Sequence, residues 1–120
     1  ENLFKLQSDA IRKAASESAC VFVGRCADYV LRDSPRLVSV FITADITERV
    51  AQICKRHGCS EDEAQRIIDN AESARASYYN YYTGKTWGHS ASYDLCINSS
   101  RLGLEGTKDF ISEYIRRQNR

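Results

Sequence analysis

Leu3, Leu6, Ala10 and Ala14 recur at helical spacing, with Phe4 and Ile11 among them. Residues three and four apart share one face of a helix, so the period predicts an amphipathic helix over 3–17. The pattern then changes. Cys20-Val21-Phe22-Val23 is continuously apolar and β-rich and stops at Gly24, and Leu37 to Ile42 repeats this pattern, broken only by Ser39. Short unbroken apolar runs are the signature of strands covered on both faces. Strands are therefore predicted at 20–23 and 37–42, and a third at 93–98.

Helices fill the intervals. Ala27 to Leu31 reads as a short one, ended by Ser34-Pro35 because proline disfavours helical backbone in the residue before it. Asp45…Glu48 and Ser60…Glu63 each place a cap acceptor three residues before a glutamate, the reciprocal box that satisfies the free amides of a helix start. The first box opens a helix that carries Ile46, Val50, Ile53 and Cys54 on one face and stops near Gly58. The second opens a longer one, with Ala64, Ile67, Ile68 and Ala71 on one side, running on towards Arg75 and Tyr78. Leu104 to Arg117 is the final helix, packing Phe110, Ile111, Tyr114 and Ile115. Strands alternating with helices predict an α/β sheet made of parallel crossovers. Three strands are few for so many helices.

Composition narrows the partners. The chain has 120 residues, one domain's worth, and a net charge of +1. Without a basic field, neither nucleic acid nor an anionic membrane is expected as a partner. No apolar run is long enough to span a bilayer, and no leader precedes Glu1, so a cytoplasmic location is expected. Five cysteines, an odd number, then read as free thiols. Cys54, His57 and Cys59 lie close together but lack the paired spacing of structural zinc ligands, and no metal site is expected.

The densest chemistry lies in "RASYYNYYTGKTWG", residues 75–88. Gly84-Lys85-Thr86 ends like an ATP-binding loop. The full G-x-x-x-x-G-K-[ST] pattern would need glycine at 79, where Tyr79 stands, and it would follow a strand, whereas this segment follows a helix. It is not a phosphate loop. Three readings of the tyrosines stay open: a packed helix face, a mobile segment presenting Arg75 and phenols to an anionic ligand about hinges at Gly84 and Gly88, or a stacking surface for single-stranded nucleic acid. The neutral charge balance argues against the last. Gly24-Arg25 follows the first strand directly, where parallel sheets collect ligands, so Arg25 is placed either to grip phosphate or simply on the surface.

Together, "CVFVGRCADYVLRD" (20–33), "SVFITADITERV" (39–50), "ARASYYNYYTGKTWG" (74–88) and "YDLCINSSRLGLEG" (93–106) resemble the cytidylate kinase-like family, a branch of the P-loop nucleoside monophosphate kinases. The resemblance implies a three-layer parallel-sheet kinase fold and phosphoryl transfer from ATP, with Mg2+, to a nucleoside monophosphate. It implies that Arg25 contacts the acceptor's phosphate, with Tyr78 and Tyr79 beside it on the substrate side. Arg75 would be the catalytic arginine of a lid within 57–90, bridging the phosphates of both substrates. Ser99, Leu102 and Gly103, in a loop after the last strand, would lie near the adenine.

Two departures matter. Cytidylate kinases follow the Gly-Arg with aspartate, where this chain has Cys26. Their lid reads R-x-x-x-D-x-x-R, and this chain offers Ile68, Glu72 and Arg75. The acceptor is therefore CMP, another monophosphate or a small non-nucleotide. The family's P-loop and its strand, which sits between the strands expected at 20–23 and 37–42, have no counterpart in these residues. The expectation is the C-terminal part of a longer kinase, inactive alone, with a rearranged sheet or strands exchanged within a homo-oligomer. The alternative is a non-catalytic module that binds a nucleotide or a protein through the tyrosine-rich segment.

Overall fold

Helical periodicity translates directly into structure over most of the chain. The computed structural model describes residues 2–118. Its elements are α1 (Asn2–Glu17), α2 (Ala27–Val30), β1 (Val40–Thr43), α3 (Ile46–His57), α4 (Glu61–Thr83), a 3₁₀ turn (Ser90–Ser92), β2 (Leu95–Asn98) and α5 (Ser99–Gln118). α1 packs on α2, α3 on α4, and α5 lies against both strands.

The sheet has two strands, not the three expected. β1 and β2 run parallel, in register from Val40 opposite Leu95 to Thr43 opposite Asn98. Ser39 sets that register at the amino ends: its N–H donates to Asp94 Oδ2 at 2.8 Å, and its carbonyl accepts from the amides of Asp94 and Leu95. Residues 20–23 form no strand. Phe22 tucks against the small core of Ile11, Ala27 and Val30, while Val21 and Val23 are 93% and 91% exposed. The physical reason is pairing: β-branched residues favour a strand only when a neighbour takes their backbone groups and packs their side chains, and among the described residues none does.

The two capping boxes part company. At Ser60 the box forms in full: its Oγ accepts the Glu63 amide while the Glu63 carboxylate accepts the Ser60 amide. At Asp45 it does not. The Asp45 carboxylate accepts the Asn98 amide group instead, the Asp45 N–H donates to Ser100 Oγ, and Glu48 accepts the Ser100 hydroxyl. Side chains from the β2–α5 junction have captured both halves of the predicted cap. α5 also differs from expectation, since it begins at Ser99 rather than Leu104 and is interrupted at Gly103 (φ 73°, ψ 174°), a backbone region essentially restricted to glycine.

α4 ends as a helix end should. Gly84 takes the left-handed conformation (φ 70°) and its N–H caps the Asn80 carbonyl, and Lys85 turns back so that Nζ donates to the Ser92 carbonyl at 3.0 Å. Gly84-Lys85-Thr86 is a helix terminus. Packing is thin elsewhere. Among the described residues no large side chain is fully buried, and the radius of gyration is 16.0 Å, against about 13.6 Å for a compact chain of this length.

Candidate functional site

A cleft of about 240 Å³ opens at the carboxyl ends of the strands, lined by Phe41, Ile42, Thr43, Ala44, Arg49, Glu72, Arg75, Trp87 and Ser99. Each wall has a sequence cause. Thr43 and Ala44 are where β1 ends, and Ser99 is where β2 becomes helix. Arg49 closes the first turn of α3. Glu72 and Arg75, three apart, share a face of α4. Trp87 meets Phe41 edge-on at 5.2 Å from the loop that follows.

The charges are unequally engaged. Arg49 pairs with Glu72, both about one-third exposed, and so ties α3 to α4. Arg75 is exposed and, among the described residues, no carboxylate pairs with it. Two guanidiniums and one carboxylate leave the cleft with an excess positive charge. An anion with several oxygens suits it, since arginine grips such groups through two nitrogens. Ser99 Oγ is held by the Thr43 carbonyl at 3.1 Å, which fixes the cleft's floor across both strands.

The residues singled out from sequence distribute as follows. Arg75 and Ser99 share the cleft. Arg25 is exposed on a turn before α2 and is not part of the cleft's lining. Tyr78 and Tyr79 also lie outside the lining. Tyr78 donates to Gln7 at 3.2 Å and lies against Phe4 and Tyr82, which stack at 4.1 Å. Tyr79 is 6% exposed and donates to Asp28 Oδ2 at 2.9 Å. Burial first, and the Asp28 carboxylate second, push its phenol well above its ordinary pKa, so it remains the donor. Leu102 is half-exposed one residue before the break at Gly103. Arg49 and Trp87 are among the cleft residues that the sequence did not single out. Arg49 did carry a signal: a cation near a helix N-terminus opposes the dipole and needs another reason to be there. Its pairing with Glu72 across to α4 is that reason.

The Cytidylate kinase-like family matches residues 1–101. This chain belongs to that family. Cytidylate kinases of Thermococcus kodakarensis and Pyrococcus horikoshii are each 32% identical to it over 95 residues, which is 78% of this chain and 48% of either relative. That of Pyrococcus abyssi is 30% identical over 95 residues and is 51% covered. The chain thus spans about half the length of the curated relatives it matches. A crystal structure of an uncharacterized protein from Eubacterium ventriosum superposes with a TM-score of 0.94 at 31% identity, over 98% of this chain and 66% of that one. Within this cytidylate kinase-like chain, the cleft holding Arg49 and Arg75 occupies the carboxyl end of a parallel sheet, where α/β folds bind ligands.

Proposed function

We propose that the full-length protein transfers the γ-phosphoryl group of ATP to a nucleoside monophosphate, with CMP the first acceptor to test. Family membership supports the reaction class. The geometric observation that carries the reading is Arg75, exposed and without a carboxylate partner among the described residues, in one cleft with Arg49 and Ser99.

An oxygen of the acceptor's phosphate attacks the γ-phosphorus, the bond to the β–γ bridging oxygen breaks, and ADP leaves. The protein does little covalent work in such a transfer; positioning and charge neutralisation dominate. Arg75 is the catalytic residue, neutralising the migrating group as α4 and its following loop, residues 57–90, close as a lid. Arg25 holds the acceptor's phosphate. Ser99, Leu102 and Gly103 border the adenine. The P-loop, on a strand between residues 20–23 and β1, comes from chain outside these residues and grips the β-phosphate. The unpaired, exposed run at 20–23 supports a strand there.

Mg2+ is a different matter. Glu72, the cleft's carboxylate, is committed to Arg49, and no three acidic, histidine or cysteine side chains come together as a metal set among the described residues. These residues do not form a cage for the ion, which ATP-dependent enzymes hold largely through substrate phosphates. The non-catalytic alternative needs tyrosines facing a partner. Of the four at 78–82, Tyr81 alone is mostly exposed, which favours the kinase reading.

Arg75→Ala in the full-length protein tests it. The expected loss is about a thousandfold in kcat, the scale of a removed phosphate-neutralising arginine. Turnover within a factor of about two of wild type would remove Arg75 from the chemistry and favour a binding module.

A further inference from the structure

Gly24, Arg25 and Cys26 all sit in the left-handed region, with φ of 73°, 58° and 58°. Glycine takes that conformation readily, whereas arginine and cysteine each adopt it at a cost. Two consecutive non-glycine residues of this kind persist only where their surroundings hold them. α2, which follows at once, is a single turn of four residues and cannot hold itself.

The anchor is Asp28, in that turn. Its Oδ2 accepts the Tyr79 hydroxyl at 2.9 Å and the Ser39 hydroxyl at 3.2 Å. Tyr79 is itself fixed: it is almost fully buried, its ring stacks on Tyr93 at 6.1 Å, and the Tyr93 hydroxyl accepts the Gly88 amide at 3.0 Å. Cys26 and Ala27, beside the anchor, are 4% and 7% exposed. Tyr79 lies one helical turn beyond Arg75 on the same face of α4. A single, partly buried hydrogen bond therefore joins the turn that presents Arg25 to the helix that presents Arg75.

We infer that Tyr79 is a positioning residue: through Asp28 it holds the strained Gly24-Arg25-Cys26 turn in its left-handed form and couples that turn to the arginine-bearing face of α4. The functional half of this rests on the roles proposed for Arg25 and Arg75. Movement of α4 as a lid is then felt at Arg25, and an acceptor seated at Arg25 favours one placement of α4. Coupling of this kind needs a shared element that both sites bias, and the Tyr79–Asp28 bond is that element.

The test is Tyr79→Phe in the full-length protein, read first by amide hydrogen exchange. The amides of Ala27, Tyr29, Val30 and Leu31, which bond within this turn, should exchange faster by about tenfold or more, the scale of one lost hydrogen bond to a charged group. Amides of α5 should be unchanged. Asp28→Asn keeps an acceptor oxygen for the phenol and should exchange nearer to wild type. Asp28→Ala removes the acceptor, should speed the same amides, and replaces Tyr79→Phe if that variant does not fold. In turnover, Tyr79→Phe should raise KM for the acceptor several-fold at unchanged KM for ATP, and adding Asp28→Asn should cost no more. Faster exchange spread evenly over α2 and α5 would mean a general structural role and overturn the inference, as would unchanged protection in α2. Absence of any phosphoryl transfer in the wild type would sink the kinase reading, while the exchange result would still decide whether Tyr79 holds the turn.

Discussion

Two apolar runs of nearly the same composition meet opposite fates in this molecule. Val40 to Thr43 is a strand, paired along its length with Leu95 to Asn98. Cys20 to Val23, as β-rich and as short, is an unpaired segment with two valines almost wholly in solvent. Their own residues do not separate them. What separates them is a neighbour: Ser39 and Asp94 clamp the first run to its partner at 2.8 Å, and the second finds none among the described residues. Strand structure here is a property of the pair, and the chemistry follows it, since the cleft with Arg49 and Arg75 forms where a strand pair ends.

The contrast can be broken at either run. Phe41 anchors the paired one against Trp87 and Tyr93. Phe41→Ala should cost about 3 kcal/mol, the low end for a packed phenylalanine, measured by urea unfolding of residues 1–120. A cost below about 0.5 kcal/mol, the level of an ordinary surface change, would mean that this packing does not hold the sheet.

Burial returns after the unpaired run, between exposed Cys20 and buried Cys26. Burial, assisted by the nearby Asp28 charge, pushes the Cys26 thiol from near 9 up to about 11. Thiolate is the nucleophile, so alkylation of Cys26 at pH 8 should be about a hundredfold slower than that of an unperturbed thiol. It should accelerate as pH approaches 11. The sign for stability follows: folding favours the protonated thiol, so its contribution is fully present below pH 9 and is lost as pH rises from 9 to about 11. Cys20 and Cys26 labelling at equal rates at pH 8 would place the boundary of burial elsewhere.

The smallest change is the sharpest comparison. Val21→Ala in residues 1–120 should shift stability by less than about 0.5 kcal/mol, as at any exposed site. In the full-length protein, where we place a strand beside it, the same substitution should cost about 1 kcal/mol or more. Equal effects in the two chains would leave residues 20–23 unpaired in both.

The helices could be read from their periodicity because their hydrogen bonds are local; α1, α3 and α4 all appear where the spacing puts them. The capping boxes show where local reading stops. Ser60-Glu63 closes on itself, whereas Asp45 and Glu48 are claimed by Asn98 and Ser100, more than fifty residues away. Sequence spacing carries no trace of that competition. The same limit hid part of the cleft. Arg75 was visible from its motif, while Arg49 gained meaning only once α3 and α4 brought it to Glu72. Tyr79 was visible as a phenol near an arginine, but the Asp28 that takes its hydroxyl lies fifty-one residues earlier.

The most direct test is phosphoryl transfer from ATP to a panel of nucleoside monophosphates, run in parallel on the full-length protein and on residues 1–120. We expect turnover by the full-length protein, with CMP among the acceptors, and none by residues 1–120, which lack a loop for the β-phosphate. Transfer by residues 1–120 alone, or none by the full-length protein with any acceptor, would contradict the account.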